Sequence, residues 1–402
     1  MPLFSARETE MNAEDATLEL AMELIRRPSV TPEDGGCQEL IGTRLRAMGC
    51  ELTSLPFADV SNLWATHGEG APLLALVGHT DVVPPGPAAA WSERPFVPRL
   101  RDGKLYGRGA ADMKGGVAAM VTAMERFLRR RPRHAGTVAL LLTSDEEGPA
   151  LHGIRRVAEW LRERKLLPDY CLVGEPSSER RLGDVIKHGR RGSLSGRLRV
   201  QGRQCHIAYP ERGVNPIHAA LPALAELCGM VWEEGDGGDF PPTQFQVSNL
   251  RAGTGAENVI PGHLEALFNF RYSPALSREE MQRRLQAVLD AHGLRYELEW
   301  HRGGDPFLTR GGRLLDAVRE ALRETAGVEC SLSTGGGTSD GRFLAPLGAE
   351  VLELGTTGDT IHEVDEYVPA EELPLLSEIY EGVLRRLLAA PAAAGASVAP
   401  AS

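Results

Sequence analysis

The sequence is short of cysteine, of long apolar runs and of positive charge, and each shortage excludes something. Six cysteines are scattered through 402 residues without a CxxC pair. That spacing offers no disulfide framework and suits a reducing cytoplasm, with each thiol packed as a small apolar group. No apolar run approaches the length of a membrane span. The opening MPLFSARETEMNAEDATLEL has no basic stretch followed by an apolar core, so it does not read as a secretory signal. Lys and Arg total 44 against 55 Asp and Glu, a net charge of -11. A surface of that sign excludes general binding to nucleic acid or to an anionic membrane, although it leaves room for a local basic pocket.

What is present is a soluble globular composition, 42% hydrophobic and 25% charged. A chain this long is expected to hold two or three domains. Residues 1–11 and the low-complexity tail 390–402, within APAAAGASVAPAS, are expected to be disordered. Between them, apolar strands at 73–77, 138–142 and 170–173 alternate with helical patterns at 116–128 and 154–166. The fold class is therefore α/β, a twisted mixed sheet with helices on both faces.

Near Gly189 the texture changes. Strand 194–200, helix 216–231, strands 245–250 and 264–272, helix 278–292 and strand 295–300 follow in the order βαββαβ. This is the split, ferredoxin-like arrangement of an α+β domain. The first texture then resumes with helix 313–325, strand 350–354 and a helix over 369–389, with Pro369 in its first turn. The expected boundaries are 12–190 and 304–389 for the two parts of one domain, and 191–303 for a domain inserted into it.

The chemistry lies just past the strand ends. LLALV runs into GHTD, VALLL into TSDEEG, YCLV into GEP, and VLEL is followed by TIHE. A glycine-rich loop, GRGAADMKGG, enters the helix at 116 and brings Asp112 to the same edge if that helix packs on the sheet. The loop lacks the GxxxxGK[ST] spacing of a phosphate cradle. In open α/β sheets, sites form outside the carboxyl ends of the strands. Each of these residues alone would pass for an ordinary turn residue. Together, His79, Asp112, Glu146, Glu147, Glu175 and His362 are too many acids to share one edge unless divalent cations balance them.

Imidazole and carboxylate donors suit zinc, with cobalt or manganese as substitutes. Five ligands make two sites if Asp112 bridges, with His79 and Glu175 on one ion and Glu147 and His362 on the other. On an extended segment Glu146 and Glu147 would point in opposite directions. That leaves Glu146 as general base toward a metal-bound water. Asp81, two residues past His79, is spaced to orient the second imidazole nitrogen with its carboxylate.

The strings GHTDVVPPG, GRGAADMKGG, TSDEEG, VGEPSS, GTSDGRF and TIHEVDE, together with GRQCHIAYPERGVNPIHAALPAL and FNFRYS, resemble the dinuclear-zinc M20 metallopeptidase superfamily over roughly 18–388. The resemblance implies the same ligands, with Asp112 bridging and Glu146 as base. It also implies hydrolysis of an N-acyl amide, most closely that of an N-acyl amino diacid. A homodimer formed through the inserted domain is implied as well, with His206 as an oxyanion donor acting from the partner. Tyr209, Asn258 and Arg271 are carried over as substrate contacts from the inserted domain, and Arg190, Ser193 and Thr338 as contacts from the hinge and the GTSDG loop. The pattern is broken at Cys205, Glu257 and Gly358-Asp359, which leaves the acyl group and amine open. A deacetylase, aminoacylase or dipeptidase of the same superfamily is the alternative. From another class, the alternative is a metal-binding dimeric scaffold without turnover.

Overall fold

The computed structural model describes residues 13–233 and 238–388. The expectation of disorder at 1–11 and 390–402 falls outside them. The chain divides into two compact units. Among the described residues, one holds 13–188, Thr309–Leu332 and 339–388; the other holds 189–233, 238–308 and Ser333–Thr338.

The first unit is built on an eight-stranded mixed sheet. Its strands run, edge to edge, Glu51–Ser54, Asn62–Gly68, Thr137–Thr143, Leu73–His79, Tyr170–Val173, Glu350–Glu353, Val185–Lys187 and Ser331–Ser333. The strand Leu73–His79 pairs in parallel with both neighbours, and Tyr170–Val173 pairs in parallel with Glu350–Glu353. Every residue of Leu73–His79 and Thr137–Thr143 is buried, as unbroken apolar runs in a sheet covered on both faces require. Leu74, Leu76, Leu140, Leu142, Leu172 and Leu352 face one core with the helices Ala13–Ile25, Gly115–Arg130, Arg313–Ala326 and Glu372–Leu387. Among the described residues, no helix is long and apolar enough to cross a membrane.

The parallel register levels the strand ends. His79 lies opposite Thr143, and Val77 lies opposite Val173. Glu175, two residues past Val173, therefore comes level with His79. Two glycines let the Asp112 loop and its helix close on that edge. A Cβ on Gly78 would stand 2.7 Å from the Met113 side chain, and one on Gly116 would stand 2.7 Å from the Gly174 carbonyl. At Gly78 the end of the Met113 side chain would have to move, whereas at Gly116 the obstacle is backbone and leaves no room for a side chain.

The second unit has four antiparallel strands in the order Gln244–Ala252, His263–Tyr272, Gly192–Gln201, Tyr296–Gly304. The helices Pro216–Gly229 and Arg278–Ala291 share a core with the buried alternate residues Leu264, Ala266, Phe268, Phe270 and Tyr272. Both helices start on side-chain caps. Asn215 accepts the Ile217 N–H, and Ser277 accepts that of Glu280.

Some elements depart from the sequence reading. Pro369 does not open the last helix. It ends a short strand, Tyr367–Pro369, that pairs with Lys104–Tyr106, and the helix begins at Glu372. Proline's fixed φ suits an edge strand as well as a first helical turn. The turn Ala110–Lys114 precedes the helix Gly115–Arg130. There the buried Lys114 ammonium donates to the carbonyls of Leu24, at 2.9 Å, and Arg27, at 2.7 Å. This contact ties the Asp112 turn to the end of the first helix, where a cation also meets the helix dipole.

Burial lowers the Lys114 pKa to about 8 from 10.5. Its contribution is therefore complete above 10.5 and is lost as pH falls through about 8. Lys114→Met, which orphans two carbonyls, is expected to lower stability in urea by about 1–3 kcal/mol at neutral pH. The advantage of the parent chain should widen as pH rises from about 8 to 10.5; a gap that narrows would contradict this account.

Candidate metal centre

His79 ends its strand with a side chain only 1% exposed. Its Nδ1 lies 2.8 Å from the main-chain carbonyl of Asp81, to which Nδ1–H donates, and this turns Nε2 toward the cluster. The sequence reading gave this orienting role to the Asp81 carboxylate, and the structure corrects the atom. That carboxylate stands 3.6 Å from Nδ1. Instead it accepts the N–H groups of Glu146, at 3.3 Å, and Glu147, at 3.1 Å. Asp81 thus holds the loop that carries both glutamates.

His79 Nε2 lies 3.1 Å from Asp112 Oδ1 and 3.7 Å from Glu175 Oε1. The other Asp112 oxygen, Oδ2, lies 3.4 Å from His362 Nε2, which is 3.0 Å from Glu147 Oε1. One carboxylate therefore presents a different oxygen to each imidazole. Single ligand atoms of His79, Glu146 and Glu175 lie within 4.8 Å of one another, and so do those of His79, Asp112 and Glu147. All six side chains singled out from the sequence come together here.

Asp145, Glu146 and Glu147 occupy a bend after the strand rather than an extended segment, so strand alternation is not what separates their roles. Asp145 turns inward and accepts the N–H groups of Ala150, Leu151 and His152 at 2.8–3.1 Å. It is a turn-former. Glu147 meets His362, and Glu146 remains beside His79 and Glu175.

The electrostatics are those of a cation site. Burial, the charge of Asp340 and that of Glu147 push the Glu146 carboxyl well above the usual carboxylate range. Burial and the Asp112 charge do the same to Glu175. Burial opposes protonation of His79, but the Asp112 hydrogen bond and the Glu175 charge raise it well above its usual value. Hydrogen bonds to Asp112 and Glu147 raise His362 to about 10. Asp112 is held down, against burial, by its bonds to His362 and His79. Without a metal, protons fill the role of counter-charge. Nitrogen and carboxylate donors without a thiol fit a divalent cation of the zinc, cobalt or manganese type.

Sequence reasoning missed three residues. Asp340 is buried, with its carboxyl raised by burial to about 7 despite the nearby Arg342 charge. Arg108 and Glu366 form a buried ion pair behind the Asp112 turn. Asp340 lies in GTSDGRF, Glu366 is the last letter of TIHEVDE and Arg108 the second of GRGAADMKGG, but a motif string does not say which of its charged residues turn inward.

The second unit gathers the remaining residues into three groups of its own. His206 pairs with Val259, its Nδ1 accepts the Ala208 N–H at 3.1 Å, and its ring lies 5.7 Å from that of Tyr209. The Asn258 carbonyl accepts the Ile207 N–H. An accepting Nδ1 leaves Nε2–H as the donor of the neutral His206 ring. Ser193 faces Arg271 across paired strands. Arg190 donates to the carbonyls of Gly335, at 3.0 Å, and Gly337, at 3.3 Å, fixing the loop that leads to Thr338.

The profile of Peptidase family M20/M25/M40 matches residues 75–386. This chain belongs to that family. It is 59% identical over 372 residues to the succinyl-diaminopimelate desuccinylase of Thioalkalivibrio sulfidiphilus, covering 92% of this chain and 99% of the relative. Its identity to the desuccinylase of Methylococcus capsulatus is 57%, with 93% and 99% covered. Among solved structures, the M20 family metallo-carboxypeptidase Sso-CP2 from Sulfolobus solfataricus shares the fold with a TM-score of 0.79 at 18% identity, covering 93% of this chain and 99% of that one. A dinuclear metal binding peptidase of the M20 family from Bacillus subtilis does so at 0.70 and 16%, covering 92% and 97%.

A ligating imidazole must be neutral, so metal uptake by this M20 chain must expel protons. In the metal-free protein, protonated His362 contributes stability below pH 6.5 that is lost as pH rises through about 10. Titrating zinc into the metal-free protein at pH 7.5 in weak buffer should release about one proton or more. His362→Ala should release fewer. Uptake without proton release would contradict the protonation states given above.

Proposed function

We propose that this chain is a metal-dependent amidohydrolase that cleaves N-succinyl-L,L-diaminopimelate to succinate and L,L-diaminopimelate, a step of diaminopimelate and lysine biosynthesis. The observation that carries the reading is the Asp112 carboxylate, with one oxygen toward His79 and the other toward His362, in a chain close to two desuccinylases along nearly its whole length. His79 and Glu175 on one side and Glu147 and His362 on the other, with Asp112 shared, would hold two zinc ions, or cobalt or manganese in their place. Bound there, such a pair acidifies a water and polarises the acyl carbonyl.

The protein's own groups do the rest. Glu146 takes the water's proton and returns it to the departing amine nitrogen. Burial and neighbouring acids keep its carboxylate basic enough for the task. His206 donates Nε2–H to the oxyanion that forms as water adds to the carbonyl. The inserted domain dimerises, and His206 serves the site of the partner copy. Arg190 and Arg271, with Ser193, Tyr209, Asn258 and Thr338, are the polar contacts for a substrate with several carboxylates. Planar guanidinium groups suit that recognition.

Glu146→Ala is expected to keep both ions and lose about 100- to 10,000-fold in kcat, whereas Glu147→Ala weakens one metal site. Equal metal loss in both would overturn the division of roles. On the zinc-loaded protein, kcat/KM for N-succinyl-L,L-diaminopimelate should exceed that for N-acetylornithine by on the order of 100-fold or more; the reverse preference would reassign the substrate. Mixing His206→Ala with Glu146→Ala should restore part of the activity through heterodimers, and none after proven subunit exchange would count against action across the dimer.

A further inference from the structure

The Glu366 carboxylate is 1% exposed and both of its oxygens are taken. Oε2 accepts from Arg108, at 2.6 Å, and from the Gly109 N–H, at 2.9 Å. Oε1 accepts the N–H groups of Ala111, at 2.9 Å, and Asp112, at 3.1 Å. One side chain thus gathers the backbone of the turn that presents Asp112. Its counter-ion reaches in the other direction. Arg108, 2% exposed, donates through its second terminal nitrogen to the main-chain carbonyl of His362, at 3.4 Å. Its guanidinium lies 5.1 Å from the Trp91 ring centroid, which limits its freedom. His362 sits at φ 64, a left-handed conformation that a non-glycine residue keeps when its surroundings impose it.

Asp112 and His362 are 250 positions apart in the chain, yet their side chains face each other at 3.4 Å. Arg108–Glu366 is a buried ion pair that reaches both backbones, that of the Asp112 turn and that of His362. We propose that Glu366 and Arg108 are positioning residues that set the spacing between Asp112 and His362, and thereby couple the two halves of the metal centre. The proposal rests on the two-ion reading given above. Under it the residues differ in what they control. Glu366 orients the shared ligand, so its loss weakens both ions. Arg108 adds a hold on His362, which serves one ion. Lysine at 108 keeps the charge opposite Glu366 but has no second fork arm for the His362 carbonyl. Glutamine at 366 keeps the shape, but its amide turns donors toward N–H groups that need an acceptor.

The test uses full-length protein stripped of metal and titrated with zinc against a chromophoric chelator, so that two stepwise dissociation constants are read. Melting temperature of the metal-free form is read in parallel. Glu366→Gln is expected to raise both constants by about 10- to 100-fold, the usual scale for a residue that orients a ligand. Arg108→Lys should raise one and leave the other. Glu381→Gln is the control for loss of a partly buried ion pair elsewhere, since Glu381 binds Arg126 and Arg130. It should lower the melting temperature and move neither constant. Unchanged constants in a folded Glu366→Gln, or shifts that Glu381→Gln matches, would overturn the proposal. If Glu366→Gln fails to fold, Arg108→Lys decides: a shift in one constant supports the coupling and no shift overturns it. Fewer than two ions on the parent chain would overturn the two-ion reading itself; two ions with unmoved variants would overturn the coupling alone.

Discussion

Everything at the carboxyl edge of the first sheet follows from negative charge crowded into a place that water reaches poorly. Asp81, Asp112, Asp340 and Glu175 are buried there, with Glu146 and Glu147 beside them. Isolated carboxylates are costly to desolvate, so they must be neutralised by protons, by backbone donors or by cations. The chain uses all three. Backbone N–H groups satisfy Asp81, Asp145 and Glu366. Glu146 and Glu175 are pushed toward their protonated forms. Asp112 stays ionised between two imidazoles. The acids that bind backbone are scaffold, and those that lack such donors are the ones that can take a metal.

Neighbouring acids therefore come to differ in function through what each can reach. In the run Asp145-Glu146-Glu147, the short aspartate bends back onto N–H groups a few residues on, while the longer glutamates extend into the cluster. Asp81 follows the same logic. Its carbonyl orients His79 and its carboxylate orders the loop of Glu146 and Glu147, so one residue serves two ligand-bearing segments.

Much of this was legible in the sequence because the signals were local. Unbroken apolar runs such as Leu73-Leu74-Ala75-Leu76-Val77 marked buried strands. A histidine or acid just past each run marked the edge where side chains converge. The βαββαβ order of the second unit followed from helix and strand periods alone. What stayed hidden depended on contacts across the chain. The pairing of Arg108 with Glu366 spans 258 positions, and neither residue stands at a telling spacing. The strands Glu51–Ser54 and Asn62–Gly68 and the helix Cys37–Ala47 have weak or mixed patterns. Pro369 was misplaced because its ring geometry is compatible with both a strand end and a helix start. The role given to the Asp81 carboxylate fell to its carbonyl, a distinction that letter spacing does not encode.

The strand Glu350–Glu353 lies between Tyr170–Val173 and Val185–Lys187, so a late segment of the chain completes the middle of a sheet begun far earlier. His362 and Glu366 follow directly behind that strand. A chain still emerging from the ribosome would hold a gap in its sheet and half a cage for its cations. Assembly of the site is thus tied to the arrival of residues 350–366. Until that segment docks, Glu147 and Asp112 lack the imidazole of His362 that faces them in the finished fold.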